Sequence, residues 1–415
     1  MKNKLHISVV VAAMCAASNN AWSQSSLTLY GLVDGGINFL SNAQTGKSQG
    51  ALTGHSKVSI QDGTLGGLNA SRFGILGTED LGGGLSAIFK LESGFAINSG
   101  ALGQGSDLFG RQARVGLRSN QFGTISLGRQ YDPAIAFIRP FTIAAQLAGF
   151  MGTHVGDMDD LDDSHYFDSS ITYTSLDYNG LVFGGMYGVG GVAGSPGRDQ
   201  TWALGGGYTN GPIALGINYL NAQNPNFSYF GGNPASGTTA TSNNLGSLGS
   251  ATEAQANPIY AGYASAHTLQ SIAAGGSYAV GRATLGVTYS NTQFRSLGDT
   301  GMSGPNPFGY GGNVTFSNAE VNFRYQITPV LLAGIAYDYT HSSGADGRPG
   351  AVYQQGAAGL NYALSKQTNL YAAVVFQHAS GTDSLNQPAV ADITGQTASA
   401  NNHQLAVRIG LQARF

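Results

Sequence analysis

Ionisable side chains are densest where Asp157, Asp159, Asp160, Asp162 and Asp163 follow one another closely, with His154 before them and His165 after. Carboxylate oxygens suit hard divalent cations, but a calcium-binding loop alternates its acids, keeps glycine sixth and ends on a bidentate glutamate at the twelfth place. Here Asp162 stands sixth and no glutamate follows at the twelfth. Two histidines eleven apart on a loop add little, so no metal is expected, and the run reads as a solvated acidic lip. Catalysis by a nucleophile needs a base and an orienting group within reach. His267, His341, His378 and His403 stand at the ends of strand-like segments in a serine-rich chain, without a nucleophile-elbow pattern. Gly82-Gly83-Gly84 separates two such segments instead of preceding a helix, so it is no phosphate loop. Neither an enzymatic site nor a cofactor is expected.

The elements that hold these residues have a two-residue period. From Leu405 to Phe415 the odd positions are apolar and the even ones polar or small, Arg408 and Arg414 among them. One face of such a strand suits lipid and the other a wet lumen. A chain that ends on this strand, with phenylalanine last, looks like the closing strand of a bacterial outer-membrane barrel. Leu27, Leu29, Gly31 and Val33 likewise oppose Thr28, Tyr30, Leu32 and Asp34. Leu85, Ala87, Phe89 and Leu91 oppose Ser86, Ile88, Lys90 and Glu92. About sixteen segments of this kind are expected, beginning near Ser25, Ala70, Leu85, Arg111, Gly123, Ser169, Leu181, Asp199, Pro212, Thr268, Arg282, Asn318, Val330, Tyr353, Gln367 and His403. Tight turns of Gly, Asn, Asp and Pro type alternate with long connections at 41–69, 133–168, 221–267, 295–317, 342–351 and 380–402. This predicts an all-β, transmembrane antiparallel barrel with short periplasmic turns and long extracellular loops. No fixed repeat points to a β-helix or propeller.

Composition agrees. Glycine supplies 63 of 415 residues and charged residues only 10%, too few for a water-facing surface of this size. With 42% hydrophobic residues, 20 Tyr and 19 Phe, disorder is not expected. No long apolar run follows Ala17, and a closed barrel crosses a bilayer without one. Lys2 and Lys4, the apolar stretch Ile7 to Ala17, and Ala21-Trp22-Ser23 form a secretory leader, residues 1–23, leaving 24–415 as the barrel. Cleavage removes Cys15, the only cysteine. The chain is then exported through the periplasm without a disulfide. A formal net charge of −3 gives no basic surface for nucleic acid. Tyr131, Tyr173, Tyr219, Tyr289, Tyr337 and Phe376, near strand ends, suit membrane-interface girdles.

Four segments carry a family resemblance: SSLTLYGLVDGGI at 25–37, SRFGILGTEDLGGGLSAIFKLESGF at 71–95, RQARVGLRSNQFGTISLGRQYD at 111–132, and the terminal VRIGLQARF. Together they resemble the general trimeric porins of Gram-negative bacteria, especially the beta-proteobacterial branch, over essentially the whole mature chain. The resemblance implies sixteen strands, a homotrimer in outer-membrane lipid and lipopolysaccharide, and a third long loop, 133–168, folded inward to narrow the channel. Gly149-Phe150-Met151-Gly152 is similar to the tip of that loop. The resemblance implies wall arginines facing loop acids across the constriction. Arg72 and Arg111 match the family's basic positions. Arg114 has lumen parity, whereas Arg111 shares parity with lipid-side residues, so a bulge or a rim position is required. A third basic position is occupied by Tyr166. Fewer wall cations and five loop acids, Asp157 to Asp163, put strong anion selectivity in doubt and suggest a weak cation preference. Arg129 is similar to a residue that receives an acid from a neighbouring subunit, with Asp107 as candidate partner. Phe415 matches the segment read by the outer-membrane assembly machinery. The implied function is general diffusion of small hydrophilic solutes and ions. A solute-specific channel, or a surface adhesin or phage receptor on the same barrel, are the alternatives.

Overall fold

The computed structural model describes residues 25–195, 197–232 and 242–415; the proposed leader lies outside them. Seventeen strands form one antiparallel sheet closed on itself. Its first half comprises β1 (Ser26–Ser48), β2 (Ala51–Asp62), β3 (Arg72–Gly82), β4 (Leu85–Gly94), β5 (Gln112–Ser119), β6 (Gly123–Gln130), β7 (Phe167–Thr174), β8 (Leu181–Gly188), β9 (Thr201–Asn210) and β10 (Ile213–Gln223). A two-residue pair, β11 (Ser242–Asn243) and β12 (Gly246–Ser247), stands apart from it. The barrel continues with β13 (Thr268–Val280), β14 (Ala283–Leu297), β15 (Gly312–Thr328), β16 (Leu331–Ser342), β17 (Ala351–Ala363), β18 (Thr368–Gly381) and β19 (His403–Arg414).

These seventeen strands occupy sixteen places. The lower part of β1, from Ser26 to Leu32, pairs with β3, and its upper part, from Gly35 to Ser48, pairs with β2. Thus β2 stands above β3 in one column. The segment 41–69, expected to be a loop, is therefore mostly a hairpin with a short inward crossing at 63–71. Likewise β15 begins six residues before Asn318, and the loop expected at 295–317 is shorter.

The alternating pattern is visible in the burial. In β19, Ile409 and Leu411 are exposed, whereas Arg408, Gly410 and Gln412 are buried. Apolar residues such as Leu215, Ile217, Val287 and Ile335 face outward, where no water-filled lumen competes for them. The short rim is made by turns such as Gly82-Gly83-Gly84, where all three residues have positive φ, a conformation glycine adopts without steric cost.

The closing seam joins β1 to β19, with Asn38 opposite Arg408 and Asp34 opposite Gln412. Arg408 was expected to face a wet lumen; instead its side chain is fully buried. Its guanidinium donates to Asn38 Oδ1 at 2.6 Å, to Asp34 Oδ1 at 3.0 Å and to Tyr371 Oη at 2.6 Å.

The lumen is far from empty. The connection between β6 and β7 bends inward as a chain of short turns, including a single-turn α-helix at Ala134–Phe137. Glycines on the inner wall make room for it. Leu147 sits on Gly334 of β16 and Gly359 of β17, and the Phe137 carbonyl sits on Gly216 of β10. Wall side chains then hold its backbone. Asn322 Nδ2 donates to Phe141 O, the Ile143 N–H donates to Glu320 Oε1, and Gln355 Nε2 donates to Thr153 O. Above it, Tyr229, Phe230, Tyr260, Tyr263, Phe294 and Phe316 form an aromatic core between the other long connections and the wall.

Candidate functional site

Open space is left beside the start of β3 and the residue just before β5. A cavity of about 260 Å³ lies there, lined by Arg72, Arg111, Arg139, Phe150, Asp162, Asp163 and Tyr166 together with residues 63–70. Residues from the wall, from the inward loop and from the crossing after β2 thus converge on one space.

The wall charges come from strand parity. Lys90 and Glu92 point inward on β4, and Lys90 is directly opposite Arg114 on β5. Arg118, two inward positions further along β5, is exposed in the lumen toward the short rim. Glu92 is the carboxylate at the centre of the group. Its oxygens lie 2.9 Å from Arg111 Nε, 3.1 Å from Lys90 Nζ and 3.9 Å from Arg72 Nε. Tyr30 also donates to it at 2.6 Å. Arg111 lies just before β5 begins, so the rim position, not a bulge, turns it inward against its parity. It is buried, donating to Asp163 at 2.7 Å and to Tyr166 Oη at 3.1 Å. Arg114 donates to Ser126 Oγ at 2.9 Å and carries no ion pair among the described residues. Arg72 keeps 23% of its side chain exposed.

Tyr166 is no gap in this wall. Its ring lies between two guanidiniums, 5.8 Å from Arg111 and 5.1 Å from Arg129, each attracted to the π face. Arg129 also reaches Asp168 at 2.6 Å and the Gly110 carbonyl. These contacts lie within its own chain. Tyr131, expected at the membrane interface, instead packs 5.3 Å from Tyr166 inside.

The acidic run is not a solvated lip. Asp157, Asp159, Asp160 and Asp162 are all buried. Left-handed backbone at Asp157, Asp160 and Asp163 coils the segment tightly. Asp157 accepts from the Asp162 N–H, and Asp160 accepts from the His165 N–H. Burial holds the carboxyls of Asp157 and Asp160 well above the usual carboxylate range, disfavouring their charged forms. Burial also pushes His165 down to about 3, leaving it uncharged. Burial raises Asp162 to about 6 against the pull of Arg139, whose Nε donates to it at 2.8 Å. The acids that reach the cavity are therefore Asp162 and Asp163, each on an arginine.

His154 lies on the far side of the loop. Its Nδ1 is 2.7 Å from Asp159 Oδ2, which also accepts from Ser290. Its Nε2 is 3.1 Å from Thr288 Oγ1, 3.8 Å from Glu320 and 3.7 Å from Asp338. Burial works against its charge, but Asp159, helped by Asp338 and Glu320, raises its pKa to about 10.

Several of these residues were not singled out from sequence: Lys90, Glu92, Arg118, Arg139, Glu320 and Asp338. Inward parity was an available signal for Lys90, Glu92 and Arg118. Glu320 and Asp338 share that inward parity on β15 and β16; for Arg139 the signal is the path of the inward loop, which no local pattern reveals.

The Gram-negative porin family model matches residues 8–382. An outer membrane porin protein of Bordetella pertussis is 30% identical over 407 residues, covering 90% of this chain and 93% of that one. Outer membrane porin protein 32 of Delftia acidovorans is 36% identical over 148 residues, 35% of this chain and 38% of its own. Among solved structures, the anion-selective porin from Comamonas acidovorans has a TM-score of 0.67 at 19% identity, covering 94% of this chain and all of that one. The trimer form of OmpT, an outer membrane protein of Vibrio cholerae, has a TM-score of 0.58 at 16% identity, covering 94% of this chain and 99% of its own.

Proposed function

Because the chain belongs to the Gram-negative porin family, we infer that its charged cavity is the eyelet of a general-diffusion channel and that this eyelet favours anions. The protein is an outer-membrane porin, a passive channel and not an enzyme. What it selects follows from the charge that solutes meet. Arg72, Lys90, Arg111, Arg114, Arg118 and Arg139 line the passage, opposed by Glu92, Asp162 and Asp163 with Asp80 lower down. The remaining loop acids are withdrawn from it. The weak cation preference suggested by counting five loop carboxylates is thereby reversed, because Asp157 and Asp160 are buried away from the passage with their charged forms disfavoured, and Asp159 faces His154. That burial is the observation on which the inference rests.

Solute passage needs no turnover. Small hydrophilic molecules cross a water-filled gap, and fixed charge at close quarters filters them. Arg111, with its Glu92 and Asp163 partners, frames the gap, while Arg72, which shares Glu92 at 3.9 Å, and Arg114 add positive field. The long connections 224–232 and 257–266 narrow the outer vestibule. Assembly as a homotrimer is part of the same reading; it is supported by the family and by the trimer form of the Vibrio relative. In planar bilayers under a salt gradient the purified protein is expected to conduct in steps of three with a reversal potential on the anion side. A reversal potential on the cation side overturns the selectivity.

A further inference from the structure

Between the inward loop and the wall lies a group of ligating side chains that solute passage does not use. We propose that His154 Nε2, Glu320 Oε2 and Asp338 Oδ2 bind one divalent transition-metal ion that fastens the inward loop to β15 and β16. The three donor atoms lie within 4.8 Å of one another, and all three residues are buried. Two donors about 2.1 Å from a tetrahedral ion stand about 3.4 Å apart. The observed 3.8 Å from His154 to Glu320 and 3.7 Å to Asp338 need to contract by only a few tenths of an ångström.

Each ligand is already oriented. Glu320 Oε1 accepts from the Ile143 N–H and from Asn322 Nδ2, leaving Oε2 buried with no hydrogen-bond partner among the described residues. This oxygen is directed at the imidazole, and its side chain is fully inaccessible. Asp338 is positioned by Asn318 and Thr340. His154 is anchored through its other nitrogen by Asp159, the arrangement in which a carboxylate fixes the tautomer and strengthens a metal-ligating histidine. Thr288 Oγ1, 3.1 Å from Nε2, is placed to rotate onto the ion or onto a carboxylate. Without an ion, the three carboxylates of Asp159, Glu320 and Asp338 share one imidazole in a site closed to water. Buried charge in excess of its partners is costly, and a divalent cation supplies the deficit. One imidazole and two carboxylates suit zinc, manganese or ferrous iron better than a soft monovalent ion or an all-oxygen calcium site.

The site is closed, so the ion enters as the loop seats, and the test loads it then. The full chain is refolded in detergent with zinc, freed of unbound metal and analysed for zinc content and by X-ray absorption. About one zinc per chain, with one nitrogen and otherwise oxygen ligands, is expected. Glu320→Gln and His154→Gln should each lower retention at least tenfold, whereas His378→Ser, at half-exposed His378 opposite His403, should not. Zinc should also raise the unfolding temperature of the wild type and leave that of Glu320→Gln unchanged. Wild-type retention below about one-tenth equivalent overturns the proposal. So does a zinc site with two imidazoles, or retention undiminished in both ligand variants. If the variants fail to fold, the wild-type absorption spectrum still decides.

Discussion

Arg72 offers a sharp test of an anion-favouring eyelet, because its guanidinium is partly exposed and its nearest acid, Glu92, is 3.9 Å away and shared with Lys90 and Arg111. An anion passing about 6 Å from a unit charge gains ~0.7 kcal/mol at the dielectric constant of water and ~3 kcal/mol at an effective value of 20. Partial exposure and the shared carboxylate place Arg72 toward the lower end, about 1 kcal/mol, or roughly fivefold in local anion concentration. A cation suffers the opposite effect, so Arg72→Ser should move the anion-to-cation permeability ratio toward cations by roughly 25-fold. Arg72→Lys, which keeps the charge, should retain the wild-type ratio. The assay is the zero-current potential in planar bilayers, measured near 0.1 M and near 1 M salt, where the screening length falls from about 10 Å to about 3 Å. The difference should be large at low salt and nearly absent at high salt. If Arg72→Ser conducts with an unchanged ratio at low salt, Arg72 is not in the ion path and the placement of the eyelet is wrong. If the shift persists undiminished at high salt, the cause is a rearranged loop and not the charge.

Other outcomes follow from the same geometry. Asp162, raised to about 6 by burial despite Arg139, gains its proton as the pH falls from about 7.5 to about 5, which frees Arg139 and strengthens the anion preference. Since its folded-state pKa lies above the unfolded value, its contribution to stability also improves as pH falls through that range; Asp162→Asn should show neither titration. Gly359→Val puts side-chain carbon where Leu147 now lies, 2.7 Å from a Cβ at that position, so the loop is pushed into the lumen and single-channel conductance should fall by a factor of about two or more. Conductance equal to wild type would show that the loop yields elsewhere. Deleting Phe415, whose backbone exchanges two hydrogen bonds with Gly31, should lower the amount reaching the outer membrane far more than the heat resistance of the barrels that form; normal membrane levels rule out an assembly role.

The barrel was largely legible because each strand needs only a two-residue period and a turn. β2 escaped because it is exposed along most of its length on both faces: His55, Ser56, Lys57 and Val58 all meet solvent or lipid, so no alternation marks it. The discordant parity of Arg111 left a bulge and a rim position open, and its place just before β5 selects the rim. The acidic run was misread for a different reason. Spacing says how carboxylates are arranged along the chain, but their exposure depends on partners far away, Arg139 and Arg111 for two of them and Ser290 for a third. Those partners meet only when the loop has folded across the lumen.

The buried Arg408 has a consequence for how the cylinder closes. A slip of one residue between β1 and β19 would turn every lipid-facing side chain inward, so the apolar pattern alone forbids it. A slip of two keeps inside and outside unchanged, and greasy alternation cannot reject it. Such a slip would move Arg408 from opposite Asn38 to opposite Gly36 or Leu40, away from Asp34, stranding two buried charges at about 3–5 kcal/mol. Because strand stagger sets barrel tilt and girth, this one ion pair acts as a gauge for the bore: it admits a single circumference out of a series that hydrophobicity would treat as equivalent.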